Sequence, residues 1–284
     1  MQSKRYFRGW YFKCCTRDKG IAFIPSFHST IEGEYGSLQV ITDTDSYKVR
    51  FSGLEYSEEP LKIKIDNCTF SRDGICLDYA NGTVELQGEL TFKSLRPIKY
   101  DIMGPFKFVP FMQCRHSVYS MRHMVDGHIV VCGEEYDFQN GLGYIEGDRG
   151  FSFPDRYIWT QCIFDNGSLM LSVADIPFCG SKFTGLIGVV LLGGKEYRIA
   201  TYLGAKVSHI TENMVVVKQG KYKLEALLLR ENAKPLHAPV RGAMDRTIHK
   251  IFSRVVSRQG CAEKIFVVIL PNTMGGVDVG ESRK

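Results

Sequence analysis

The sequence has no long apolar run. Its densest stretch, 184–192, is about half the ~18 residues that a membrane-crossing helix needs, and Gly185 and Gly188 interrupt it. Among nine cysteines there is no Cys-x-x-Cys pair, and no His-x-x-x-His or Cys/His cluster occurs, so the common structural-metal and dithiol patterns are missing. His116, His123 and His128 do not make one either, because on a strand positions 116 and 123 have opposite parity. We therefore expect no metal. A Gly-x-Ser-x-Gly nucleophile elbow is missing too. Charge of one sign is not in surplus: 36 Lys+Arg against 31 Asp+Glu leaves +5, too little to read as a nucleic-acid binder. The basic start lacks an apolar segment behind it, so no secretory signal is expected. The cysteines then read as reduced, mostly buried thiols in a cytoplasmic protein, and the sequons at Asn67, Asn81 and Asn166 have no consequence.

What is present is β-rich. Apolar residues make up 44% and aromatics 12% of 284 residues, with 28 glycines, a composition for a packed chain of about two domains with many turns. Short extended segments at 9–15, 21–28, 37–41, 47–51, 61–65, 68–70, 75–79 and 83–93 are separated by turn residues such as Asp73-Gly74 and Asn81-Gly82. In 61–65 the apolar residues fall at every second position. Pro97, Pro105 and Pro110 then interrupt the pattern, and we place a boundary near residue 110. Extended segments resume at 117–121, 128–131, 157–164, 168–173, 185–192, 196–203, 214–218 and 222–229. The spacing predicts an all-β fold of two tandem antiparallel β-barrels, 1–110 and 111–284. One segment differs. Over 241–258, Met244, Ile248, Ile251, Phe252 and Val255 have helical spacing, and Arg246, Lys250 and Arg254 recur every four residues. This predicts one C-terminal amphipathic helix. It either closes a barrel with a solvated basic face or touches an anionic membrane surface.

Two motifs carry chemistry on inspection, and one fails. Gly141-Leu142-Gly143 through Gly147 has the wrong spacing for a dinucleotide loop and no βαβ unit around it. The block 143–162 is different. Glu146, Asp148, Arg149 and Asp155 stand among Tyr144, Phe151, Phe153, Tyr157 and Trp159. Charges beside large apolar groups are costly unless paired, so Arg149 with Asp148 or Asp155 is one reading. The other is a carboxylate held protonated in an apolar cavity. Glu146 and Asp148 share a face if the segment is extended.

Several pieces together resemble tocopherol cyclase and its bacterial relatives. They are Gly9-Trp10-Tyr11-Phe12-Lys13, Gly143-Tyr144-Ile145-Glu146 through Gly150, Ser152-Phe153-Pro154, Trp159-x-Gln161-Cys162, Pro235-Leu236-x-Ala238-Pro239 and the tail from Asn272 to Gly280. More remotely, the Gly-Tyr-x-acid-x-x-x-Gly piece is similar to that of carotenoid 1,2-hydratases, although Asp148-Arg149 replaces the Asn-Trp usual there. The resemblance implies two lipocalin-like (calycin) barrels. It also implies a shared first step, in which a neutral carboxyl protonates an isoprenoid alkene and a phenol oxygen or water traps the cation. That chemistry needs no metal, nucleotide or redox cofactor. By motif position Glu146 is the expected acid and Asp148 the second choice. Trp10, Tyr144, Tyr157 and Trp159 are expected on the pocket wall, with His116, His123 and Gln161 contacting a polar head group. The expected ligand is a hydrophobic small molecule: a prenylated quinol, an isoprenoid or a fatty acid. Two alternatives stay open, a non-catalytic lipocalin-like carrier or sensor and a purely structural barrel pair.

Overall fold

The computed structural model describes residues 5–110, 112–154, 156–164, 166–178, 181–211, 214–227, 233–240, 242–251 and 266–267. They are all-β apart from two short 3-10 turns. Eleven antiparallel strands form the large sheet: β1 (Tyr6–Cys15), β2 (Gly20–Thr30), β3 (Gly33–Thr42), β4 (Ser46–Phe51), β5 (Glu55–Glu58), β6 (Leu61–Ile65), β7 (Cys68–Ser71), β8 (Gly74–Ala80), β9 (Glu85–Lys93), β10 (Cys114–Val131) and β11 (Glu134–Gly150). A meander follows in β12 (Tyr157–Phe164), β13 (Gly167–Phe178), β14 (Ser181–Leu192) and β15 (Lys195–Ala200). A third sheet holds β16 (Lys206–Ile210), β17 (Met214–Gln219), β18 (Tyr222–Leu227) and β21 (Phe266–Val267), and β19 (Ala233–Val240) pairs with β20 (Ala243–Ile251) as a hairpin.

Two expectations are corrected here. The large sheet does not close by hydrogen bonds: its order runs β4-β3-β2-β1-β11-β10-β9-β8-β7-β6-β5, with β4 and β5 as edges. It still wraps one core, in which Phe12, Phe23, Leu38, Ile63, Phe70 and Ile129 are buried together. The sheet also takes in residues on both sides of position 110, because β11 pairs with β1 and β10 with β9. The predicted helix is a strand over Ala243–Ile251, and 252–258, including Arg254, lie outside the described residues. The physical reason is arithmetic. A spacing of four is also a multiple of two, so Met244, Arg246, Ile248 and Lys250 fit strand alternation as well as a helix face. β-branched Thr247, Ile248 and Ile251 then favour the strand. No described helix is long and apolar enough to cross a membrane.

The dense stretch at 184–192 has a different explanation. β14 is covered on both faces, so both parities are apolar. Ile187 and Val189 pack toward the large sheet, while Leu186 and Val190 pack toward the third sheet. Its turn into β15 is Gly193-Gly194, with φ of 56° and 76° at successive residues, the backbone a two-residue hairpin requires. Cys14, Cys15, Cys68 and Cys162 are buried free thiols.

A close approach within the large sheet gives a first prediction. A β-carbon on Gly143 would collide with the His123 imidazole, which packs against Phe92 with ring centroids 4.4 Å apart. Overpacking of this kind costs about 1–3 kcal/mol. Gly143→Ala lowers the thermal unfolding midpoint by several degrees; an unchanged midpoint would contradict this packing.

A candidate active site between two sheets

The site follows from strand alternation. On β1, Arg8, Trp10 and Phe12 face one way, and Phe7, Gly9 and Tyr11 the other. On β11, Ile145 points with Trp10 into the large sheet's core, while Tyr144, Glu146 and Asp148 point away from it. Pairing sets Tyr11 opposite Glu146 and Gly9 opposite Asp148. On the other side, β10 sets His116 opposite Asp148. This outer face is roofed by β12 and β14 and by the 3-10 turn Gly104–Phe108, whose Phe106 is buried among them. Between the layers is a cavity of about 1410 Å³, open mouth included. Its lining is mostly apolar, with Tyr11, Met103, Phe106, Phe153, Trp159 and Ile187 prominent.

Three titratable side chains meet at one wall. His116 Nδ1 donates to Asp148 Oδ1 at 2.7 Å. His116 Nε2 is 3.0 Å from Glu146 Oε2, a short ionic contact without the alignment of a hydrogen bond. Tyr144 Oη donates to the same Oε2 at 2.6 Å, and Trp159 Nε1 donates to it at 3.1 Å from the second sheet. An indole N–H can only donate, so Oε2 is an acceptor here. Glu146 is 4% exposed, and every hydrogen bond it makes among the described residues falls on Oε2. Oε1 accepts none of them. The three groups have ligand atoms within 4.8 Å of one another, a set that a metal ion could also use. Both imidazole nitrogens, however, already face carboxylate oxygens.

The electrostatics locate the proton. Burial pushes the His116 pKa down, but the charges of Asp148 and then Glu146 outweigh it and raise it to about 10. At neutral pH His116 is an imidazolium between two carboxylates. Tyr11 and Tyr144 have phenol pKa values pushed well up, first by burial and then by the Glu146 charge, so both remain O–H donors.

The expected site residues separate. Glu146, Asp148, His116, Tyr157 and Trp159 line the cavity. Tyr144 is not on its wall: fully buried, it supports Glu146 from beneath. Trp10 contributes to the lining, but its indole belongs to the core of the large sheet, against Tyr56 and under the Arg8 guanidinium. His123 sits on the opposite face of the sheet, away from the cavity lining, and is neutral, its pKa lowered to about 3 by burial. Gln161 is turned to Lys13, accepting from Nζ at 3.0 Å behind the cavity. Arg149 approaches Glu58 at 3.9 Å, and Asp155 lies outside the described residues. Sequence reasoning passed over Tyr11 as a wall residue, although the alternation of β1 fixes it opposite to Trp10. It also missed Met103, Phe106 and His28. His28 is fully used: Nδ1 donates to Gly242 O at 3.0 Å and Nε2 accepts from Ser37 Oγ at 2.9 Å. That bond, with Gly242 N donating to Phe151 O at 2.8 Å, ties the β19–β20 turn to the cavity's edge.

Only two tryptophans exist, and one touches the cluster, which gives an optical test. Ligand entry changes the emission of Trp159. Trp159→Phe removes the response and Trp10→Phe retains most of it; the reverse pattern would place the ligand elsewhere.

No protein-family model and no curated protein matches the chain. Solved structures do. CghA, solved with Sch210972, is similar with a TM-score of 0.56 at 10% identity, over 87% of this chain and 86% of CghA. A protein described as an AttH, from Nitrosomonas europaea, is similar with a TM-score of 0.50 at 13% identity, over 81% of this chain and 82% of that one. At such identities the likeness shows the fold alone.

Proposed function

We propose that the chain binds an isoprenoid-bearing, oxygenated hydrophobic molecule between its two sheets and cyclises or hydrates it by proton transfer. The observation that carries this is the pairing of Glu146 with the His116 imidazolium beside a mostly apolar cavity, with Glu146 Oε1 unoccupied. The pair stores one proton at neutral pH. Once the imidazole turns to align Nε2–H with the carboxylate 3.0 Å away, transfer puts the proton on Glu146, whose open oxygen Oε1 presents it to the ligand. Glu146 then delivers it to an alkene carbon of the ligand. The resulting tertiary cation, facing Tyr11 and Trp159, is captured by the ligand's own hydroxyl or by water. The captured oxygen returns its proton to the carboxylate, and atoms and electrons balance without a redox partner. Asp148 holds His116 in place and keeps it charged.

One observation favours a second reading. An imidazolium with a pKa near 10 gives up its proton reluctantly, and the Glu146 carboxylate beside it then suits a hydrogen bond from a ligand hydroxyl to Oε1. That is the carrier or sensor. Incubation with a prenylated hydroquinone, followed by native mass spectrometry and extraction, separates the two. Ring closure leaves the mass unchanged but shifts retention, and hydration adds one water. Recovery of bound, unaltered ligand selects the carrier. No binding of any prenylated or acyl compound would overturn both.

A further inference from the structure

Across the cavity floor from the Glu146 cluster lies a second polar group. Ser26 on β2 pairs with Gly9 on β1, which pairs in turn with Asp148 on β11. The three positions form one row across three adjacent strands. Ser26 is 2% exposed and lines the cavity. Its neighbours do not use its hydroxyl: no hydrogen bond of Ser26 Oγ is present among the described residues, whereas the adjacent His28 has both nitrogens engaged. Oγ is also absent from the sealed, unpartnered atoms, so the surface it keeps opens into the cavity. Gly9 keeps the floor between the two polar groups open. A β-carbon there would stand 3.0 Å from Ser26 Oγ.

We infer that Ser26 Oγ is a hydrogen-bonding subsite for a second oxygen of the ligand, roughly two strand spacings, about 10 Å, from the oxygen held at Glu146 Oε1. The cavity then selects a rigid or extended hydrophobic molecule that carries an oxygen at each of two points about 10 Å apart, rather than one with a single polar end. A buried hydroxyl facing an apolar ligand segment stays unpaired, and that penalty is what discriminates. The inference rests on the ligand-binding reading given above.

Its test uses two probes followed by Trp159 emission: 4-hydroxybiphenyl and 4,4′-dihydroxybiphenyl, whose oxygens are held about that far apart. The dihydroxy probe binds roughly tenfold more tightly, one neutral hydrogen bond's worth. Ser26→Ala removes this advantage without weakening the monohydroxy probe, and Gly9→Ala removes it by crowding the hydroxyl. Equal binding of both probes to the parent protein overturns the subsite and leaves the ligand-binding reading standing. Loss of the advantage in neither variant also overturns it. If neither probe binds, the ligand-binding reading fails as well.

Discussion

Glu146→Gln lowers turnover of a prenylated substrate by about 10²–10⁴-fold, the usual worth of a positioned proton donor, while the chain stays folded and still binds ligand. The substitution is close to isosteric. A glutamine oxygen still accepts from Tyr144 and Trp159, so the second sheet keeps its link to β11. What the amide cannot do is receive the proton that His116 stores. Asp148→Asn acts differently. It removes the carboxylate with the larger effect on the His116 pKa, so the alkaline limit of activity moves to lower pH. A pH profile for each variant checks this. Full activity of Glu146→Gln would remove the proposed acid, and an Asp148→Asn profile identical to the parent's would remove the proposed role of Asp148.

His116→Ala destabilises the folded protein by about 3–5 kcal/mol at neutral pH. It leaves two carboxylates in a mostly buried site without their shared cation, and breaking a buried pair from one side costs that much. The pH dependence has a definite sign. The folded state raises the His116 pKa from 6.5 to about 10, so folding binds an extra proton in that interval. The stabilisation is fully present below about 6.5 and is lost as pH rises through about 10. Denaturant unfolding of the parent protein should show stability declining over this window. His116→Gln, which keeps donor and acceptor capacity but does not titrate, should flatten that decline. An unchanged slope in the variant would mean the imidazolium is not held as described.

Parts of this arrangement were legible in the sequence for identifiable reasons. Period-two alternation in 61–65 and the Asn81-Gly82 turn, where Asn81 Oδ1 accepts from the backbone of Thr83 and Val84, are local signals, and the strands around them were read correctly. The shared face of Glu146 and Asp148 needs only parity. β11 carries no legible strand signal, because glycines and charges dilute its pattern and its cavity end is buried on both faces. The sequence of β10 shows only two short extended pieces, since its register shifts near Ser120, His123 and Gly127 break the alternation. His116 joins the site only through its register with Asp148, a long-range pairing that no local window contains. The same holds for the site's position. The Tyr11 ring, and not the Trp10 ring, turns toward the cavity because the cavity lies between the sheets rather than inside the first one. The motif resemblance led to the acidic cluster, and the geometry moved the stored proton from Glu146 to His116.

The most direct test of the central claim is conversion of a prenylated hydroquinone in D₂O, read by mass spectrometry of the extracted product. Proton delivery from the Glu146–His116 pair to an alkene carbon predicts one carbon-bound deuterium per product, with product formation lost in Glu146→Gln. Bound but unconverted substrate, or product formed equally well by Glu146→Gln, would contradict it.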